Sequence, residues 1–301
     1  MNVRTLIAAA AAVVAVPTIA SAQLFSSNAE SLGDFSVVAE SGDTTATVVD
    51  YSNFIAFAAP RSLPEAPNTV GGDAATTGIL FTANQLAGAA TGINIIPVDG
   101  TSTPISFSGT YTLQFDMYAS VQIPIPTGGT EQTVFGVGAT GTDSFFGFGD
   151  TPSAGIGGQA STEGGYGTLD YGFFADDGSD VRRGNTDLSP EEQAFLDGPL
   201  AGTPGNAWRT YNITVDPVEN EVELYIDGLF ILETTALDPT DLVGAVFVGY
   251  GDSFTSISAG PDDQYGVVDN ILVLEGEVVV PEPASLGLLG LAGLGLVRRR
   301  R

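Results

Sequence analysis

Carboxylates supply most of the reactive side chains in this sequence. Its 301 residues include 36 acidic residues and nine arginines, with no lysine, cysteine or histidine. The densest acidic run is Asp176-Asp177-Gly178-Ser179-Asp180. Calcium takes roughly six to eight oxygen ligands, so this composition predicts a calcium site at Asp176, Asp177 and Asp180. The EF-hand spacing is absent, and the alternative is that this run forms a plain solvated turn. Asp262-Asp263 can likewise be interpreted as a calcium loop or as a solvated turn.

The missing residue types exclude several classes of chemistry. Without cysteine there is no disulfide framework and no thiolate nucleophile. Without histidine, Ser-His-Asp catalysis and ordinary zinc sites are excluded. Residues 23–280 hold four arginines against 35 acidic residues, a formal charge of −31. Such a surface repels nucleic acid and favours divalent cations or neutral ligands.

Two further patterns are weighed against simpler interpretations. The run Gly136 to Gly141 fits G-x-G-x-x-G, but nucleotide binding needs a helix next. The run Asp143 to Phe148 that follows is strand-like, so these glycines are predicted to make turns. Exposed aromatics could bind carbohydrate, although most aromatics of such a chain belong to its core. The candidates are Trp208, Tyr225, Tyr250 and Tyr265.

The elements that position these residues are predicted to be strands, because β-branched runs alternate with turn clusters. The runs are Thr77 to Phe81, Tyr111 to Val121, Thr133 to Val137, Leu169 to Phe174, Arg209 to Val215, Glu221 to Ile226, Val243 to Gly249 and Val267 to Leu274. Residues 208–234 read as a three-stranded meander, with an Asp227-Gly228 hairpin turn. One helical turn is expected after Ser189, from a capping box that ends with Glu192.

The N-terminal segment has the pattern of a secretory signal. A basic start at Arg4 precedes an apolar run from Leu6 to Val16 that is too short to span a bilayer. The small residues Ala20 and Ala22 then predict cleavage before Gln23. Residues 1–22 are therefore interpreted as a signal peptide.

The C-terminal segment combines Pro281-Glu282-Pro283, an apolar stretch from Leu286 to Val297, and the arginines Arg298, Arg299, Arg300 and Arg301. A helix over the apolar stretch would rise roughly 20 Å, short of a ~30 Å hydrocarbon core. Residues 281–301 resemble the PEP-CTERM sorting signal of Gram-negative bacteria, also labelled an ice-binding-protein C-terminal domain. The resemblance implies cleavage by the membrane enzyme exosortase.

Residues 23–280 are expected to form one all-β domain. The runs Tyr111 to Asp116, Tyr225 to Gly228 and Val267 to Ile271 resemble the strands of concanavalin A-like, laminin-G-like jelly rolls. That resemblance implies an antiparallel jelly-roll β-sandwich, flanked by the signal segment and a short C-terminal apolar helix. The carboxylate run Glu-x-Asp-x-x-Glu of laminarinase-like enzymes is missing, and Glu221 with Glu223 is expected on a solvent face.

The expected function is non-catalytic: a structural, adhesive or glycan-binding role at the cell surface, outer membrane or extracellular matrix of a Gram-negative-type bacterium. Signal peptidase and exosortase are the expected export partners, and extracellular polysaccharide is the expected ligand. No nucleic acid partner and no cofactor other than calcium are expected. Membrane contact is expected only through the C-terminal span before processing. The alternative is a carboxylate-dependent glycoside hydrolase on the same fold.

Overall fold

A computed structural model describes residues 21–40, 43–56, 59–70, 75–86, 88–125, 130–142, 144–164, 167–235, 238–260 and 263–277. They form two large antiparallel sheets and one small hairpin. The predicted C-terminal helix over Leu286 to Val297, the sorting residues from Pro281 to Arg301, and Ala20 of the predicted cleavage site lie outside the described residues. Across the described ranges, no helix has the length and apolarity needed to cross a bilayer.

The first sheet has eight strands in the order β15-β14-β13-β8-β17-β6-β3, with β1 also paired to β17. Its strands are β1 (Gln23–Ser27), β3 (Thr45–Asp50), β6 (Thr77–Thr82), β8 (Tyr111–Ser120), β13 (Trp208–Asp216), β14 (Glu221–Ile226), β15 (Leu229–Thr234) and β17 (Tyr265–Glu275). Strand β1 begins at Gln23, so cleavage after Ala22 would leave it intact. The meander predicted over residues 208–234 is confirmed as β13, β14 and β15.

The second sheet has seven strands in the order β12-β11-β10-β9-β16-β7-β2. Its strands are β2 (Phe35–Ala39), β7 (Thr91–Pro97), β9 (Glu131–Ala139), β10 (Ile156–Ser161), β11 (Tyr171–Ala175), β12 (Asp180–Arg183) and β16 (Ala245–Asp252). The small hairpin pairs β4 (Phe54–Ala56) with β5 (Ala59–Arg61). The two large sheets together make the predicted antiparallel jelly-roll β-sandwich.

The core lies between the sheets because alternate side chains of each strand point inward. Leu113 and Phe115 of the first sheet meet Phe135 and Val137 of the second in one continuous apolar cluster. The rings of Phe115 and Tyr211 stack with their centroids 4.9 Å apart. Asn212 and Thr214, which alternate with the core residues of β13, are also buried.

The capping box predicted a short helix correctly. Helix α1 spans Pro190–Phe195 and begins after Ser189, whose hydroxyl accepts from the Glu192 backbone N–H. The Glu192 carboxylate in turn accepts from the Ser189 N–H at 2.6 Å. The helix lies in the long connection between β12 and β13, where Arg183 joins it to the sheets by contacts to Glu192 and to the Ile231 carbonyl.

The strand predicted over residues 143–148 is wrong. Residues 144–148 form an irregular segment that lies across the outer face of the second sheet. Phe145 is buried there against Phe174 and Phe247. Its ring fits because β10 carries Gly157: a Cβ at that position would lie 2.7 Å from the Phe145 ring. The apolar run therefore reflects burial against a sheet and not strand pairing.

Candidate functional site

A cleft of about 530 Å³ opens at the side of the sandwich, where β11 and β12 of the second sheet meet β15 of the first. Its lining residues are Ile156, Phe173, Ala175, Asp177, Ser179, Asp180, Val181, Thr234, Thr235, Asp238 and Asp241. Four of these are aspartates, three carry hydroxyls, and no basic side chain is among these described residues. The floor is apolar, since Ile156 and Phe173 are buried there.

One wall is the tight β11–β12 turn. Gly178 occupies a left-handed conformation at φ +84°, which few other residues adopt readily. The Asp177 carboxylate accepts from the Ser179 N–H at 2.8 Å, so it caps the turn. This bond and that of the Ser179 hydroxyl hold the pKa of Asp177 below its usual range. Asp177 is therefore ionised at the mouth of the cleft.

The opposite wall is the short 3-10 turn Pro239–Leu242. Asp238 caps it, accepting from the N–H and the hydroxyl of Thr240 at 3.0 and 2.8 Å, which lowers the pKa of Asp238. Asp241 follows on the same turn. Burial and the charges of Asp176, Asp238 and Asp177 raise the pKa of Asp241. The two walls thus place aspartates that are more than 50 residues apart in sequence within one negative field.

The aspartates of the predicted calcium loop reach this cleft in different ways. Asp177 and Asp180 line it, and Asp176 is close enough to raise the pKa of Asp241. Asp180 also pairs with Arg182, which turns to the far side of the turn. A calcium site at Asp176, Asp177 and Asp180 stays a prediction. Asp262 of the second acidic loop lies outside the described residues, and Asp263 pairs with Arg61.

A smaller hollow of about 190 Å³ lies on the far side of the same turn. Arg182 stacks there with its guanidinium carbon 4.9 Å from the Phe148 ring centroid and 5.7 Å from that of Phe174. The side chain thus covers two aromatic faces and neutralises Asp180. The two hollows consequently differ in charge: the larger is acidic, and the smaller carries an arginine.

The aromatic candidates for carbohydrate stacking have different surroundings. Tyr250 and Tyr265 are buried in the core and offer no surface. Trp208 packs edge-on against Tyr51, and its indole N–H donates to the Pro64 carbonyl. Tyr225 alone of the four combines partial exposure with an exposed aromatic neighbour, Phe230. None of the four lines the cleft.

Three other groups of carboxylates are brought together by the fold. Glu221, Glu223 and Glu233 lie on the outer face of the first sheet, with carboxylate oxygens within 4.8 Å of one another. Among the described residues, this is the only set of three acidic side chains whose ligand atoms all lie so close together. Burial and the charges of its neighbours raise the pKa of Glu221 and Glu223.

The second group joins Asp116 and Asp269, buried on the outer face of the first sheet beneath the chain around Asn68. Burial raises the pKa of Asp269 to about 7, with the nearby charges of Asp116 and Glu30 contributing in the same direction. The third group, Glu131, Glu163 and Asp252, lies at one end of the interior. Burial, then the charges of Glu163 and Asp252, hold the pKa of Glu131 well above its usual range.

The turns predicted for the glycines from Gly136 to Gly141 are wrong for Gly136 and Gly138, which lie within β9. Among the described residues that follow them there is no helix of the kind that a nucleotide-binding turn requires. A Cβ on Gly136 would collide with the Phe247 ring. These glycines let the second sheet accept side chains and turns that lie against its outer face.

Comparison with known sequences identifies the tail. Residues 279–301 match the PEP-CTERM protein-sorting motif. The chain carries a PEP-CTERM sorting motif. A motif of this kind marks a bacterial protein for export and surface association, in agreement with the resemblance drawn from Pro281-Glu282-Pro283. No curated protein matches the chain.

Solved structures with a similar arrangement have low sequence identity. The binding domain of Paraclostridial Mosquitocidal Protein 1 is 14% identical at a TM-score of 0.37; the match covers 76% of this chain and 49% of that one, so about half of its length is spanned. The carbohydrate recognition domain of Emp47p is 10% identical at a TM-score of 0.39, and the match covers 79% of this chain and 90% of that one. A protein of unknown function with a galectin-like fold from Bacillus subtilis is 12% identical at a TM-score of 0.39, and the match covers 85% of this chain and 97% of that one.

Proposed function

We propose that the protein is an exported, exosortase-processed surface or matrix component whose sandwich binds neutral polysaccharide in the acidic cleft, without cleaving it. The observation that carries the proposal is the cleft itself, which sets aspartates and hydroxyls above an apolar floor. Sugar hydroxyls donate to carboxylates, while the C–H faces of sugar rings contact apolar side chains. A volume of about 530 Å³ is in the range of small-ligand sites.

The charge of the cleft favours neutral over acidic polysaccharide. Asp177 and Asp238 each have a pKa held low by capping bonds, so both are ionised at neutral pH. Arg182, which follows the turn, lines the other hollow and not the cleft. A polysaccharide rich in uronic acid would meet unscreened repulsion here, whereas a neutral one would meet hydrogen-bond acceptors.

The decisive variant is Asp241→Asn, because no capping bond of the turn depends on that side chain. The purified exported protein is titrated with neutral and uronate polysaccharides by calorimetry. We expect binding to a neutral polymer, with affinity reduced roughly tenfold in D241N by loss of a charge-assisted hydrogen bond. Glu191→Gln, an exposed acid on helix α1, is the matched control and should bind like the unaltered protein.

Two results would remove the proposal. Equal affinity of D241N, E191Q and unaltered protein would place binding outside the cleft. Release of reducing ends from the bound polymer, abolished in D241N, would instead establish the glycoside hydrolase alternative.

The predicted calcium dependence is measured in the same titration: chelator treatment followed by unchanged binding would remove Asp176, Asp177 and Asp180 as functional calcium ligands.

Export is tested separately by mass spectrometry of the surface-recovered protein. We expect an N-terminus at Gln23 and loss of the residues that follow the Pro-Glu-Pro segment. Replacement of Pro281, Glu282 and Pro283 by alanine should leave the tail intact and keep the chain with the inner membrane. Glu277→Gln, just outside the motif, is the control. Normal surface recovery of the triple variant would contradict exosortase processing.

A further inference from the structure

Two carboxylates lie inside the sandwich, between its two sheets. Glu131 begins β9, Asp252 ends β16, and the two residues are directly paired across these neighbouring strands. Glu131 lies on the same face of β9 as the core residue Phe135, and Asp252 lies on the same face of β16 as Val248. Both side chains therefore point inward. They are 2% and 0% exposed. Their positions are those of core residues.

These carboxylates lie at the end of the sandwich away from the tail. Gln264 donates to Glu131 at 2.5 Å and directly precedes β17. Strand β17 then runs through 11 residues to Glu275, from which the chain leads toward the sorting motif. At about 3.3 Å per residue, the strand separates the two ends by roughly 35 Å. The cluster is therefore distant from the part of the domain that is tethered during export.

Within the described residues, the hydrogen bonds that Glu131 and Asp252 accept come from neutral donors. Thr130 bridges them, its N–H donating to Glu131 at 2.9 Å and its hydroxyl to Asp252 at 2.8 Å. Asn84 donates its amide to Asp252 at 2.7 Å, and the Phe254 N–H does so at 2.9 Å. Such bonds satisfy lone pairs but bring no positive charge to the cluster.

No positive side chain of the described ranges compensates these charges. Arg61, Arg182 and Arg183 pair with Asp263, Asp180 and Glu192. Arg209 pairs with Asp197 and Asp227. A third carboxylate, Glu163, is fully buried nearby and adds to the negative field. Several buried carboxylates without a counter-charge cost several kcal/mol each.

Unpartnered oxygens point to what supplies the counter-charge. Within the described residues, Gln264 Oε1, Tyr250 Oη and Thr162 Oγ1 have no hydrogen-bond partner, although all three side chains are buried. Gln264 reaches the cluster through its bond to Glu131, and the Thr162 N–H donates to the Glu131 carbonyl at 3.0 Å. The Tyr250 hydroxyl lies in the field of Glu131 and Asp252. An amide oxygen only accepts, so Gln264 Oε1 requires a donor or a cation.

We propose that this interior cluster binds a divalent cation of the calcium class, with Glu131, Asp252 and the amide oxygen of Gln264 as ligands. The donor set is entirely oxygen, which suits a hard cation, and it mixes carboxylate with neutral oxygen as calcium sites do. Glu131 Oε2 and Asp252 Oδ1 each accept two hydrogen bonds, so the ion would bind Glu131 Oε1 and the lone pair that remains on Asp252 Oδ2. The cation compensates the negative charge of Glu131 and Asp252, which no arginine of the described residues pairs with.

The ion would order the loops at this end of the sandwich. Asn84 donates to Asp252 and also to the carbonyls of Phe254 and Ser256, and its side-chain oxygen accepts from the Ala89 N–H. Through Asn84, one carboxylate of the cluster thus connects the chain at residues 84 and 89 with the loop over residues 252–256. The proposed cation site does not depend on the acidic cleft, because the two sites share no residue.

The test uses the purified exported protein after dialysis against chelator at pH 8. Metal content is measured after re-addition of calcium and gel filtration, and thermal unfolding is followed with and without millimolar calcium. We expect one calcium per chain retained at this site and a Tm higher by roughly 5–10 °C. Glu131→Gln keeps the size and hydrogen bonding of the side chain, and it should lose most of the calcium-dependent shift.

The matched control is the double variant Glu221→Gln, Glu223→Gln on the outer face, which should keep both the calcium and the shift. If E131Q fails to fold, terbium luminescence of the Gln264→Leu variant takes its place, with loss of sensitised emission expected. The proposal is overturned if the unaltered protein retains no calcium and shows no shift. It is equally overturned if the outer double variant abolishes the shift while E131Q or Q264L preserves the binding.

Discussion

The sandwich has two networks of buried carboxylates, and they differ in how completely their oxygens are hydrogen-bonded. Asp116 is 0% exposed and accepts four hydrogen bonds, from the Asn68 N–H and amide, the Thr210 hydroxyl and the Asn270 amide. Asp269 beside it accepts from the Tyr51 hydroxyl and the Asn270 N–H. Between the sheets, Glu131 and Asp252 also accept bonds, but Tyr250 and Gln264 beside them keep unpartnered oxygens among the described residues.

This difference in hydrogen-bond partners indicates a different role for each network. Around Asp116 the donors come from distant chain segments, so the carboxylate holds the chain at Asn68 onto the outer face of the first sheet. Around Glu131 the amide oxygen of Gln264 has no donor among the described residues, and a cation completes the set in the proposal above. Buried carboxylates of one chain thus serve in one place as structural acceptors and in the other as proposed ligands.

The largest effect is expected from Asp116→Ala. It leaves four donors of the outer network without an acceptor in a buried setting, and it should destabilise the protein by about 3–5 kcal/mol. Urea denaturation against the exposed-site variant Glu191→Ala measures the difference. A loss of less than about 1 kcal/mol would show that water replaces the carboxylate and that the network is not structural.

The next effect is a pH dependence. The pKa of Asp269 is raised to about 7 in the fold, against an ordinary value of 3.8 in the unfolded chain. The folded state therefore holds a proton that the unfolded state releases. The stabilising contribution is complete below about pH 4 and is lost as the pH rises through about 7, on the order of 4 kcal/mol in all.

Asp269→Asn removes this titration, so the difference in unfolding free energy between the two proteins should vary with pH only in that window. The groups that face Asp269 are Tyr51, which donates to it, and the like charges of Asp116 and Glu30. Parallel stability curves from pH 4 to pH 8 would contradict the assignment.

A matched pair of tyrosines compares the two networks directly. Tyr51 and Tyr250 are both fully buried, but only Tyr51 donates to a carboxylate, at 2.8 Å from Asp269. At pH 8, where Asp269 is ionised, Tyr51→Phe should cost about 1.5–3 kcal/mol, the usual range for a hydrogen bond to a charged group. In calcium-free buffer, Tyr250→Phe should change stability by less than about 0.5 kcal/mol, because no bond is lost. Equal losses in the two variants would mean that the Tyr250 hydroxyl has a partner after all.

The smallest effect concerns the exposed acids. Glu223 lies directly opposite Glu233 on neighbouring strands, an arrangement of like charges that is unfavourable. Glu223→Gln should therefore stabilise the protein by about 0.5 kcal/mol or less at low salt, with the gain disappearing at high salt. Chemical denaturation at two salt concentrations measures it. A salt-independent change would rule out charge repulsion as its cause.

Local signals predicted the local structure well. The alternation through Tyr211, Ile213 and Val215 marked the meander, since strand periodicity needs only the strand itself. The capping box at Ser189 and Glu192 marked helix α1 for the same reason. The sorting motif is read as a linear segment, so residues 281–301 revealed it without any knowledge of the fold.

Other features depended on partners that the local pattern does not show. Phe145 and Phe146 looked like part of a strand, whereas glycines of the second sheet accept them on its outer face. The aspartates at 176, 177 and 180 were recognised as one acidic loop, but Asp238 and Asp241 complete the cleft from a different segment. Asp238-Pro239 at the start of a short turn was the available signal, and it indicated a cap and not a site.

The sequence by itself determined the export tail, the all-β class and the absence of histidine and cysteine chemistry, because these follow from composition, linear motifs and strand periodicity. The tertiary structure alone decided which carboxylates meet. Glu131 and Asp252 are 121 residues apart and become neighbours only through the pairing of β9 with β16. Their burial raises the cost of charge, and that cost is what converts two ordinary acidic residues into a proposed cation site.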